Sequence, residues 1–244
     1  MIKSTHLVAI GAAVFLFFCL FLLPAASVLN FVNMPAGFTH NGAAGSLWSM
    51  RLNNVAFRGT PVGNVYWSPN VGIIFGALSG TVRIEGPTLN ASFDVSDGPG
   101  LIVENLQATA QLRGRMASQE FSGGVRVVNA AATFDRRSLC LSASGELRTN
   151  AFEDMFAALG MARNAVTAPL VCRDGFLTVD FVRPFSGGTL EASAQLRHAN
   201  GVALSVLLRF ENEAAIPEQI IGWLESNGFS ASEEGWQTTS RLTF

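Results

Sequence analysis

Few residues in this chain are of types that do chemistry, and their spacing is uninformative. There are three cysteines and three histidines in 244 residues. No Cys-x-x-Cys or His-rich spacing accompanies Cys140 and Cys172, so neither redox catalysis nor zinc binding is indicated. His6, His40 and His198 pair with no carboxylate or cysteine at a telling distance along the chain. Asp94 and Asp97 flank a turn and read as solvated acids, and Glu233-Glu234 reads as a solvent-facing pair. The glycine-rich stretches lack the lysine and following helix of a phosphate cradle. No serine sits in a nucleophile elbow. No catalytic, cofactor-binding or metal-ligating residue is therefore assigned, no cofactor is expected, and the chain is expected not to be an enzyme.

What the chain does carry is an address. From Leu7 to Leu29 no side chain is charged. As a helix this run reaches roughly 35 Å, enough to cross a bilayer core of about 30 Å. A cleaved signal peptide is the competing reading, with Lys3 as its basic start and Ala25-Ala26-Ser27 as small residues for a peptidase. The apolar stretch from Leu7 to Leu23 is longer than a usual signal core, which favours an uncleaved anchor. Lys3 is the sole lysine, and Arg51 is the next ionised residue after the run. The expected layout is a cytoplasmic tail at 1–6, a transmembrane anchor at 7–29, a linker at 30–44 and an exported domain at 45–244. Cys19 falls inside the run as a small apolar side chain. Cys140 and Cys172 fall beyond it, and in an oxidising compartment they are expected to be bonded, the alternative being two buried thiols.

The exported part, roughly 215 residues, is long enough for one domain with its own core. A net charge of −2 makes no case for nucleic acid. Only 14% of residues are charged while 24 are glycine, which suits many short strands joined by turns. Alternation with period two runs through Leu78–Glu85, Leu89–Val95, Leu177–Phe181, Leu190–Arg197 and Val202–Phe210. Such alternation buries one face and wets the other. Turn signals separate these runs, among them Ala199-Asn200-Gly201, a hairpin signal. The fold class is mainly β: one N-terminal transmembrane helix, then an extended, curled antiparallel sheet with two short helices. The first helix is expected over Ala151–Leu159, capped by Asn150. The second follows Pro217, and its stripe of Ile220, Ile221, Trp223 and Leu224 is expected to cap the sheet or meet a partner. The sheet's apolar face must fold over itself, meet a partner or hold lipid chains.

At Gly45-Ser46-Leu47-Trp48-Ser49 the chain resembles the type II secretion system protein N (general secretion pathway protein N) family. In that family a short tail and one anchor precede a Gly-x-Leu-Trp segment that opens a β-rich periplasmic domain. Gly63 and Trp67, within Gly59–Trp67, are similar to the family's glycine-led turn before a second tryptophan. The cysteine pair around a short helix and the apolar helix before a last strand fit as well. Met50 departs from the small residue usual there, and Ser68–Gly72 is shorter and more polar than the usual run. The resemblance implies a non-catalytic component of the secretion machinery in the cell inner membrane, single-pass, with a cytoplasmic N-terminus. Its partners would be other secretion-system membrane components, met partly by strand addition at a sheet edge, and inner-membrane lipid. No nucleic acid and no small-molecule substrate is implied. The family shades into AsmA-like periplasmic sheets, so the alternative is a lipid-binding or lipid-transfer module. Trp48 and Trp67 are expected in the core, a partner-binding role being the alternative.

Overall fold

A computed structural model describes residues 11, 14–15, 18, 22–29, 34, 36–116, 119–196, 201–212 and 216–242. Among these, one antiparallel sheet of 15 strands dominates. Its first half comprises β1 (Phe38–Thr39), β2 (Ala43–Ser46), β3 (Ser49–Phe57), β4 (Thr60–Pro69), β5 (Ser79–Glu85), β6 (Leu89–Asp97) and β7 (Gly100–Met116). Then come β8 (Gln119–Asp135), β9 (Cys140–Thr149), β10 (Val166–Arg173), β11 (Phe176–Phe185), β12 (Gly188–Leu196) and β13 (Val202–Phe210). The chain ends with β14 (Ser230–Ser232) and β15 (Gly235–Leu242). From β3 to β13 each strand pairs with the next in sequence; β15 then pairs with β13 and carries β14 on its other edge. The sheet curls without closing.

The register sorts side chains into rows. Val65, Ile84, Ala91, Ala108, Val127, Leu147 and Ala168 stand opposite one another in seven successive strands. One residue over, Asn64, Glu85, Asn90, Thr109, Arg126, Arg148 and Thr167 form the matching polar row. One face is thus apolar and the other wet, because successive side chains in a strand point to opposite faces.

Curling has a local cause. Asn54, Asn105 and Asn129 adopt left-handed backbone, with φ of 47°, 52° and 49°. Each lies at a shift in strand register, between Leu52 and Val55, Val103 and Leu106, and Val128 and Ala131. A bulge adds one residue, bends its strand and sharpens the twist. Asparagine tolerates this backbone where most side chains do not.

Three short helices accompany the sheet: α1 (Ala25–Leu29), α2 (Glu153–Ala158) and α3 (Glu218–Ser226). Two cores result. Ala25 of α1 is fully buried against Met50, Leu52 and Val55, with Trp67 packed alongside. The larger core joins Phe156 and Leu159, at and just beyond α2, and Leu224 of α3 to Leu190, Val206 and Leu208 of β12 and β13.

Several expectations are corrected here. Most of Leu7–Leu29, Cys19 included, lies outside the described residues, and no described helix is long and apolar enough to cross a membrane. The run does not continue as one helix to Leu29: Leu22 lies in a turn and Pro24 bridges Ser46 before α1 begins. Proline disfavours helix at the residue before it, which accounts for the break. The segment 30–44, expected as linker, contains β1 and the start of β2. Asn150 does not cap α2; its side-chain oxygen accepts from the Gly124 amide at 2.7 Å. Gly11, Val14, Phe15 and Phe18 of the run are helical, and α1 stands apart from them as a separate short helix beyond Pro24. His6, His198 and the Ala199-Asn200 turn lie outside the described residues.

Candidate functional site

The apolar rows do not close into a dry core everywhere. Beside the larger core the curled strands β7 to β13 enclose a trough of about 300 Å³. Leu106, Val127, Leu147, Ala168, Val179 and Leu204 line it. Thr149 and Ser193 are the sole polar residues along its described wall. Eight of the lining residues are alanine, Ala130, Ala131 and Ala132 among them, and leave space that leucine or valine would fill. With no charge and almost no hydrogen-bonding group, the trough can hold hydrocarbon but cannot orient a polar substrate.

Below the trough, β10 divides its pairing. Val166–Pro169 pairs with β9, and Leu170–Arg173 pairs with β11. Cys140 and Cys172 are disulfide-bonded at this division, their Cα atoms 5.5 Å apart. The bond ties the start of β9 to the half of β10 that has left it. Nearby, the Arg173 guanidinium pairs with Asp180 at 2.8 Å.

The residues that carry the family resemblance gather around α1. Gly45 has φ of +91° and Gly63 +109°, and an added side-chain carbon would overlap the Ser49 and Glu85 carbonyl oxygens respectively. Both glycines are set by backbone geometry rather than by chemistry. Leu47 donates its amide to the Leu23 carbonyl at 3.0 Å, holding the N-terminal run to the β2–β3 turn. Trp48 is half-buried in that turn. Trp67 packs on the α1 core. These positions form a structural joint; they do not converge on a pocket.

In α3, Leu224 is fully buried, Ile220 and Trp223 pack against the larger core, and Ile221 is half-buried. The helix therefore covers the end of the sheet formed by β12, β13 and β15.

The acids fall apart from one another. Asp94 lies inside β6, where it accepts from the Thr81 hydroxyl at 2.6 Å and the Asn105 amide at 2.8 Å. These two bonds, Thr81 foremost, hold its carboxyl below the usual carboxylate value. Asp97, Glu233 and Glu234 are exposed. His40 accepts from the Gly42 amide through Nδ1 at 3.1 Å. Among the described residues no group of three histidine, cysteine or acidic side chains could hold a metal ion.

Sequence reasoning missed three features: the Asn105 and Asn129 bulges, the Thr81–Asp94–Asn105 lock and the alanine wall. An asparagine at which the apolar alternation changes phase is a readable signal for the first. The second depends on register, which no local pattern reveals.

A family model described as type II secretion system (T2SS), protein N covers residues 36–239. No curated protein and no solved structure matches the chain.

Proposed function

We propose that this chain, which belongs to the type II secretion system protein N family, is a non-catalytic, membrane-anchored component of that system. It acts in protein export through contacts of its β-rich domain with other secretion components in the periplasm. The observation that carries this reading is the family match, which spans the larger core, the β3 and β4 residues of the α1 core, the disulfide and Gly45, Leu47 and Trp48. The uncharged run from Leu7 to Leu23 supports an inner-membrane anchor with a cytoplasmic tail. The Cys140–Cys172 bond supports an oxidising compartment for the domain.

The contact surface is better sought on the polar face than at the edges. The outermost strands are short, β1 with two residues and β14 with three. Short edge strands guard a sheet against adding foreign strands. On the wet face, Asn64, Arg83, Glu85, Asn90, Gln107 and Arg126 line a broad open groove. Polar groups with arginine suit a reversible protein contact.

Deleting the gene is expected to trap folded export substrates in the periplasm, and crosslinking in intact cells is expected to join this chain to other secretion components. Normal secretion with no such crosslinks overturns the reading.

A second reading rests on the trough alone: a lipid-binding or lipid-transfer module taking one acyl chain between β7 and β13. Native mass spectrometry of the purified chain tests it, since phospholipid should travel with the protein.

A further inference from the structure

In a meander, alternate turns fall at the same end of the sheet. The turns β2–β3, β4–β5, β6–β7, β8–β9 and β10–β11 share one end, and the N-terminal run joins the domain there. Leu47 bonds Leu23, and Pro24 bridges Ser46. The chain therefore leaves toward Leu22 beside the β2–β3 turn.

Exposed apolar side chains collect at this end. In the short 3-10 helix Val71–Phe75, between β4 and β5, Phe75 is 85% exposed and Val71 65%. Leu78 follows just before β5, and Leu101, Leu139, Leu141 and Leu196 stand exposed at the neighbouring strand ends. Among the described residues beyond the N-terminal run, Val128 and Val182 are the large exposed apolar side chains that lie within strands instead. The turns at the opposite end are polar or glycine-rich: Arg58-Gly59, Gly86-Pro87-Thr88 and Ser186-Gly187.

The apolar rim is continuous. The Asp97 amide bonds the Leu78 carbonyl at 2.8 Å, joining the β4–β5 and β6–β7 connections. Leu101 stands opposite Phe134 across β7 and β8. A hollow of about 250 Å³ then brings Leu101, Ser138, Gly175 and Leu196 together. Exposed apolar groups on a single rim, beside the point where an apolar run leaves the domain, match the surface of a bilayer.

We infer that this rim, led by Val71, Phe75 and Leu78, seats the domain on the membrane surface next to its own anchor, with lipid as its partner. The inference rests on the anchored reading of Leu7–Leu23. Charge has a minor part: Arg136 and Arg137 lie at this end, but so do Asp97 and Asp174. Seating therefore comes from apolar burial and resists salt, unlike attraction between exposed charges.

The test uses the full chain carrying Cys19→Ser, reconstituted in vesicles of phosphatidylethanolamine and phosphatidylglycerol. A bimane label is placed through Phe75→Cys or, in a second sample, Ser186→Cys at the opposite end. Both positions are exposed, so neither change disturbs a core. Brominated lipid should reduce emission from position 75 and leave position 186 unchanged, at low and high salt alike. Position 75 shielded from water but not quenched by lipid means a protein partner and overturns the inference. Equal emission with and without brominated lipid also overturns it. Alkaline carbonate extraction of the wild-type chain separates the two levels. A chain released by carbonate defeats the anchor itself, whereas a retained chain without quenching at position 75 defeats only the seat.

Discussion

Asp94 is the acid whose surroundings set its chemistry, and it does so as a structural lock across a bulge. Its carboxylate takes hydrogen bonds from Thr81 on β5 and Asn105 on β7, so it bridges three strands where β6 and β7 shift register. Both bonds favour the ionised form, which lowers the folded-state pKa beneath its ordinary 3.8. A depressed carboxyl stabilises the fold above the unfolded pKa and loses that contribution as pH falls through the folded value. Asp94→Asn is therefore expected to lower the urea midpoint at neutral pH, and wild type and variant should converge as pH drops below 3.8. A gap that persists in acid would assign the loss to packing instead. Gly63 makes a sharper case. Its backbone is left-handed and the Glu85 carbonyl occupies the place of a side chain. Gly63→Ala should cost about 2–4 kcal/mol in denaturant unfolding, combining backbone strain with overlap in a paired strand.

At the scale of elements, legibility followed the purity of alternation. Val202–Phe210 keeps one phase throughout, and β13 has those bounds. The longest strands, β7 and β8, carry no continuous alternation, because their phase reverses midway. In β7 the apolar positions run Leu101 and Val103, then Leu106, Ala108 and Ala110, with Asn105 at the switch. In β8 they run Val125 and Val127, then Ala130 and Ala132, with Asn129 at the switch. A period-two search sees two fragments where the chain makes one bent strand. The trough was equally hidden, since its alanines read as ordinary inward residues until the register stacked them. Two predictions belong here. Asn129→Val should cost about 1–2 kcal/mol because a β-branched residue resists left-handed backbone, while Asn129→Gly stays within about 0.5 kcal/mol. Replacing Cys140 and Cys172 together by alanine should cost roughly 3.5–4 kcal/mol, the chain-entropy value for a loop of this separation. Guanidinium unfolding of each variant beside wild type measures both.

Across the whole molecule, a sheet that curls without closing has placed its two cores at its ends. The α1 core holds the β2–β3 joint, and the α2–α3 core covers β12, β13 and β15. The trough runs from β7 up to the larger core, with which it shares Val166, Ala192 and Leu204. This arrangement lets one substitution separate a structural hollow from a lipid site. Ala168 is 2% exposed and lines the trough, with about 300 Å³ of space before it. In a dense core, adding three carbons there would be destabilising by about 1–3 kcal/mol. Here Ala168→Leu buries new apolar area without displacing a neighbour, and a gain of about 1–2 kcal/mol is expected from the area buried. Unfolding curves of the delipidated chain measure that gain, and its absence would show that the wall has already collapsed. Native mass spectrometry of wild type and variant then reads occupancy. Bound phospholipid in wild type and its loss in Ala168→Leu would assign the trough to lipid. A stabilised variant beside a lipid-free wild type would leave the trough an underpacked hollow, and the work of this chain would then lie on its outer surfaces.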